Sequence, residues 1–183
     1  MKTTYHTDKI WTISGFLTPE ECSELIAQSE QIGFEEAEVS IASGPQMMKA
    51  IRNNYRLMVD DEALAQRFWE ELKQFCPQEI DGAVAVGLNE KFRFYKYESA
   101  QRFKRHIDGR FRRSENEESR ITFMIYLNDD FEGGVTAFDD VTIIPETGTA
   151  LCFIHELKHE GTPVISGVKY ALRSDVMYLK SQK

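Results

Sequence analysis

A chain of 183 residues with 42% hydrophobic and 28% charged side chains can build one domain with a sizeable core, and is too short for two comfortable ones. Its formal net charge of -8 opposes binding along a phosphate backbone, which needs clustered Lys and Arg, so no nucleic-acid partner is expected. The longest apolar runs, such as 149–154, are far too short to cross a bilayer, and the first residues lack the apolar stretch of a secretory leader. The expectation is a cytoplasmic protein with no membrane association.

The first element in chain order is a helix. Thr18, Pro19 and Glu21 read as an N-cap, a proline at the first helical position and a capping-box glutamate, and Cys22, Leu25 and Ile26 supply one apolar stripe. Residues 40–56 hold Gly, Pro and two Asn and read as a loop. A second helix starts at Asp60 or Asp61, carries Leu64, Phe68, Leu72 and Phe75 at helical spacing, and ends at Cys76 and Pro77.

Near residue 82 the pattern changes. Eight short segments rich in β-branched and aromatic residues follow, at 91–98, 102–108, 120–128, 134–138, 141–144, 149–154, 162–166 and 168–179. Strands at this spacing, without intervening helices, predict an antiparallel sandwich or barrel. The expected class is α+β in a single domain over 1–183. Residues 1–81 are its mainly helical support, packed on one outer face of a stranded core over 82–183. Cys22, Cys76 and Cys152 form no CxxC pair, so neither a disulfide framework nor a thiolate zinc site is predicted.

The chemistry concentrates in a few residues. In a strand, side chains two apart share a face, so His106 and Asp108 can grip one ion while Ile107 turns away. Two imidazoles and one carboxylate on one side of an ion suit Fe(II) that must also hold a co-substrate and dioxygen, and His159 offers the second imidazole. A bare His-x-Asp is by itself more often an ordinary polar strand end. His155 competes with His159, and residues 155–159 nominally spell His-Glu-x-x-His, but the zinc-protease use of that pattern needs a helix where the text reads as strand. His155 is therefore expected in a supporting role.

On the last strand Lys169 and Arg173 share a face, and either could satisfy a buried carboxylate; Asp175 on the same face could instead pair with Arg173. Tyr97 and Tyr126 carry hydroxyl donors on strands near the ligand pair, though such tyrosines are commonly core residues with a satisfied hydroxyl. The basic stretch 102–113 is open to two readings: a solvated loop, or a cationic mouth that attracts an anionic co-substrate.

Taken in order, the blocks 97–108, 122–129, 133–138 and 147–169 resemble the catalytic region of prolyl 4-hydroxylase-type Fe(II)/2-oxoglutarate dioxygenases, and 16–26 is similar to a helix that opens many members. The resemblance implies a double-stranded β-helix, or jelly roll, with His106, Asp108 and His159 as iron ligands. It puts Lys169, ten positions after His159, on the distal carboxylate of 2-oxoglutarate, with Arg173 as second candidate and Tyr97 and Tyr126 as donors to the co-substrate. Ala100 departs from the pattern, standing where the block usually has Gly. The implied reaction consumes dioxygen and 2-oxoglutarate and hydroxylates an unactivated C–H bond, although such sites also desaturate or cyclise; ascorbate belongs to the cofactors the resemblance admits. The substrate is a prolyl residue or a free amino acid or other small molecule, with residues 40–56 and 109–113 as the rim. A cupin-like metal-binding jelly roll with an isomerase or ligand-binding role is the rival, and it needs no cation aimed at a dicarboxylate.

Overall fold

The computed structural model describes residues 1–37, 39–41, 44–46 and 51–180. Both predicted helices form where their caps are. Thr18 Oγ1 accepts from the Glu21 amide and the Glu21 carboxylate accepts from the Thr18 amide, so Pro19–Ile32 starts with a closed capping box. In Glu62–Leu72 the Asp61 carboxylate accepts from the Leu64 amide at 2.8 Å, and Ala65, Phe68 and Leu72 form the buried face. A short 3-10 turn, Lys73–Phe75, leads out toward Pro77.

The helices cover one face of a ten-stranded antiparallel sheet. Its main path runs Lys2–Tyr5, Ile10–Ser14, Ala150–Ile154, Glu117–Tyr126, Lys169–Lys180, Lys91–Tyr97, Tyr55–Asp60 and Glu35–Glu36, and Ala83–Leu88 pairs beside Lys169–Lys180. A second sheet of four short strands, Phe103–His106, His159–Gly161, Thr136–Ala137 and Thr142–Ile143, closes over the opposite face. Two packed sheets with helices on one outer side are the antiparallel sandwich expected from the strand pattern, in the jelly-roll form that the resemblance implies.

Period-two alternation divides each central strand between two interiors. Ile121, Phe123 and Ile125 face the helices, where Phe16, Phe68, Phe92 and Phe123 meet edge to face with centroids 5.2–6.1 Å apart. Such pairs add about 0.5–1.5 kcal/mol each beyond simple burial. Thr122 and Met124 face the other way, into a pocket between the sheets, as do Tyr95, Tyr97, Ala171 and Arg173 of neighbouring strands.

Residues 1–81 are not mainly helical. They also supply Ile10–Ser14 and Tyr55–Asp60 to the main sheet. Ile10, Trp11, Thr12 and Ile13 are buried in succession, so this strand lacks the alternation that would reveal it. Residues 40–56, expected as a loop, fall partly outside the described residues; Val39–Ile41 pairs there with Gly44–Gln46.

Candidate active site

The ladder of the smaller sheet brings the two imidazoles together. His106 ends one strand and lies directly opposite His159, the first residue of its antiparallel neighbour, with ring centroids 4.3 Å apart. Asp108 follows two residues later. One donor atom from each of His106, Asp108 and His159 lies within 4.8 Å of the others. Ile107 points to solvent, as the alternation requires.

Hydrogen bonding sets the tautomers. Nδ1 of His106 faces the Lys104 carbonyl at 2.7 Å and Nδ1 of His159 faces the Leu157 carbonyl at 3.0 Å. A carbonyl only accepts, so each Nδ1 carries the proton and each Nε2 lone pair is left for the site. Those Nε2 atoms lie 3.5 and 3.6 Å from the two Asp108 oxygens. Burial pushes the His159 imidazole down to about 4, so it is neutral near pH 7 and able to ligate. Two imidazole lone pairs and one carboxylate on one side of a cavity are a fitting donor set for non-haem Fe(II).

Asp108 is the most elaborately held of the three. Thr122 donates to Oδ2 at 2.6 Å and Arg173 donates from Nη1 to Oδ1 at 2.7 Å. Burial would raise the pKa of its carboxyl, but Arg173 and the two imidazoles outweigh it and hold the group well below the usual carboxylate range. Thr122 spends its proton on Asp108, so it accepts from His155 Nδ1 at 2.9 Å; His155 Nε2 then accepts from Ser119 at 2.9 Å. Ser119 in turn accepts from the Phe111 amide. With both nitrogens of His155 engaged and no helix over 155–159, the zinc-protease pattern has no structural basis here.

Lys169 sits at another part of the same pocket, fully buried, opposite Tyr97 in the ladder. Its Nζ donates to the Gly134 carbonyl at 2.6 Å and lies 5.6 and 5.2 Å from the ring centroids of Tyr97 and Tyr126. Among the described residues no carboxylate pairs with it, and burial pushes its ammonium down to about 7. Gly134, at φ +60°, allows this approach: a Cβ there would lie 3.2 Å from the Lys169 Cδ. Ala171, between Lys169 and Arg173 on the same face, has only a methyl group to occupy the intervening space.

The other sequence candidates are placed differently. Arg173 lines the pocket but is committed to Asp108 and, at 3.0 Å, to Asp175. Tyr97 lines the pocket, whereas the Tyr126 hydroxyl is tied to Thr136 Oγ1 at 2.7 Å, and Thr136 is the one on the wall. In the basic stretch 102–113, Arg105, Arg110 and Arg113 pair with Asp139, with Glu118 and Glu156, and with Glu90 and Glu117 respectively. Most of that charge is thus compensated at the surface. Sequence reading missed Thr122, Thr136 and Tyr95. Counting back by twos from Tyr126 and Tyr97 would have found Thr122 and Tyr95.

Residues 92–174 match the 2OG-Fe(II) oxygenase superfamily. That span contains His106, Asp108, His159 and Lys169, so the segment that carries the site is similar to a 2-oxoglutarate-dependent dioxygenase, and the donor set fits Fe(II) with 2-oxoglutarate as co-substrate. Its architecture is of the prolyl 4-hydroxylase type. A viral collagen prolyl hydroxylase of Paramecium Bursaria Chlorella virus-1, solved with 2-oxoglutarate, is 21% identical with a TM-score of 0.66, the match covering 94% of this chain and 97% of that one. A Pseudomonas putida prolyl-4-hydroxylase is 18% identical at TM-score 0.66, over 96% and 95% of the two chains. A Trichoplax adhaerens prolyl hydroxylase, solved with a peptide fragment of a hypoxia inducible factor, reaches 0.72 at 18% identity, over 93% and 84%. No curated protein sequence is significantly similar to the chain.

Proposed function

We propose that His106, Asp108 and His159 hold the Fe(II), that Lys169 receives the distal carboxylate of 2-oxoglutarate, and that the substrate is a prolyl residue of a peptide or a compact prolyl-like acid. One observation carries this reading: the three donors and a buried lysine with no carboxylate partner among the described residues line one pocket. A jelly roll of cupin type has no use for such a lysine. The Trichoplax neighbour, solved with a peptide, supports a peptidyl substrate.

When bound, Fe(II) with 2-oxoglutarate and dioxygen supplies the oxidising power, yielding succinate, carbon dioxide and a hydroxylated C–H bond. The chain's own side chains do the rest. Thr122 and Arg173 fix the orientation of Asp108, and the Lys104 and Leu157 carbonyls hold both imidazoles in the ligating tautomer. Lys169 gains a full positive charge on meeting the anion, while Phe153, Met124 and Tyr97 wall the pocket from water.

Anaerobic addition of Fe(II) and 2-oxoglutarate is expected to give a weak visible metal-to-ligand charge-transfer band. The Lys169→Ala protein should bind metal but lose the band at ordinary 2-oxoglutarate concentrations. Absence of the band in metal-loaded wild-type protein would overturn the reading. Substrate-dependent succinate release with prolyl peptides then tests the substrate class.

A further inference from the structure

A second groove opens onto the triad, sharing His106, Asp108, Tyr95, Phe103 and Arg173 with the first pocket but not Lys169. Five arginines line it, at 52, 56, 93, 110 and 173, against one carboxylate, Asp108. In a chain of net charge -8 this is a local inversion of sign. Arg93 and Arg173 have Asp175, and Arg110 has Glu118 and Glu156.

Arg52 is different. It is only 5% exposed, and its guanidinium carbon lies over the rings of both Tyr95 and Phe103, 4.6 and 4.4 Å from their centroids. Its Nε donates to Asn54 at 2.7 Å, yet its buried Nη2 has no hydrogen-bond partner, and no carboxylate pairs with it among the described residues. A buried guanidinium N–H left without an acceptor is costly and calls for an anion. Phe103 is also stacked on His106, with centroids 3.5 Å apart and planes 16° apart. Arg52 is therefore one aromatic ring away from a metal ligand.

We infer that Arg52 is the docking point for a carboxylate of the primary substrate, which sets the oxidised C–H bond at a short, fixed distance from an acidic group. A planar guanidinium held over two aromatic rings presents its donors as a fork that matches the two oxygens of a carboxylate. 2-Oxoglutarate does not compete for this position, since Arg52 does not line the pocket that holds Lys169. The inference rests on the hydroxylase reading for what the acid is held for, and on the groove alone for its binding.

Calorimetry on protein loaded with Zn(II) and 2-oxoglutarate tests it with matched probes. N-acetyl-L-proline is set against N-acetyl-L-prolinamide for a free acid, and acetyl-Glu-Pro-amide against acetyl-Gln-Pro-amide for an acidic peptide side chain. At least one acid should bind saturably and roughly tenfold or more tighter than its neutral partner. The preferred pair identifies the source of the carboxylate. Arg52→Gln should remove that preference while leaving 2-oxoglutarate affinity unchanged, which also reports an intact fold, and Arg52→Lys should retain part of it. Equal binding of acid and amide in both pairs, no saturable binding by any acid, or a preference that survives Arg52→Gln would each overturn the proposal. The same titrations without metal and 2-oxoglutarate separate the two readings: acid preference that persists there stands even if the oxygenase cofactors fail to bind.

Discussion

Arg173 and Asp108, 65 residues apart in the chain, meet at 2.7 Å beneath the two imidazoles, and the arginine's other nitrogen reaches Asp175. A carboxylate proposed to ligate the metal and clamped in this way is pre-oriented, and outer partners of this kind are worth about 10–100-fold in metal affinity. Arg173→Met should weaken Fe(II) binding by about that factor while leaving 2-oxoglutarate affinity at saturating metal within a few-fold. Lys169→Ala should show the reverse pattern, with 2-oxoglutarate binding lost by two orders of magnitude or more and metal binding retained, on the order of a buried charge pair broken by removing one partner. Metal titration followed by 2-oxoglutarate titration on both proteins distinguishes them; a large 2-oxoglutarate defect confined to Arg173→Met would make Arg173 the anchor instead.

Burial lowers the Lys169 ammonium to about 7. In the unfolded chain the same group keeps its proton up to about pH 10.4. Between these values the unfolded state binds the extra proton, so this group's contribution to stability rises with pH from about 7 to 10.4 and its penalty is complete below 7. Anion binding has the opposite preference, because a dicarboxylate needs the charged form. 2-Oxoglutarate affinity should be flat below pH 7 and fall above it, with close to one proton taken up per ligand bound. Calorimetry in buffers of different ionisation enthalpy measures the uptake. Lys169→Arg should abolish it, and a pH-independent wild-type affinity from 7 to 9 would contradict the assignment.

What could be read from the sequence followed from locality and alternation. Lys91–Tyr97, Glu117–Tyr126 and Lys169–Lys180 sit within a few residues of their expected spans, because each carries one set of side chains for the helices and another for the pocket. Ala83–Leu88 escaped notice because Ala and Gly, both depleted in strands, interrupt its two valines, and His159–Gly161 is only three residues long. His106 and Asp108 were visible as a local pair. Thr122 could be reached by alternation from Tyr126, but Thr136 and Arg52 could not, because their roles come from contacts with Tyr126 and Phe103 that only the folded sheets create.

The turn after Tyr97 carries a departure with a measurable consequence. Ala100 has φ +66°, in the left-handed region, where its methyl group is unfavourable. Its amide is held by the Val164 carbonyl at 2.8 Å, so the turn cannot relax without losing that bond. Glycine at this position relieves the strain at some cost in unfolded-chain entropy, a net gain of about 0.5–1 kcal/mol. Ala100→Gly should raise the denaturant midpoint accordingly, and Ala100→Val should lower it by more than about 1 kcal/mol, since a β-branched residue tolerates this conformation least. Equal stability of all three proteins would show that the turn adapts.

Tyr126 and Thr136 provide the sharpest test of how the co-substrate pocket is built. The Tyr126 hydroxyl is fully buried and bonded to Thr136 Oγ1, and the Tyr126 ring lies beside the Lys169 ammonium. Its contribution is then to position Thr136 and support the cation rather than to touch 2-oxoglutarate itself. Tyr126→Phe should cost about 1–3 kcal/mol in stability, the penalty for leaving a buried hydroxyl unpaired, with 2-oxoglutarate affinity reduced only a few-fold. Thr136→Val, which changes the pocket wall directly, should cost at least as much affinity as Tyr126→Phe. If Tyr126→Phe were instead to weaken 2-oxoglutarate binding a hundredfold while Thr136→Val left it unchanged, the phenol would have to turn into the pocket on binding, and the wall seen here would be a resting arrangement.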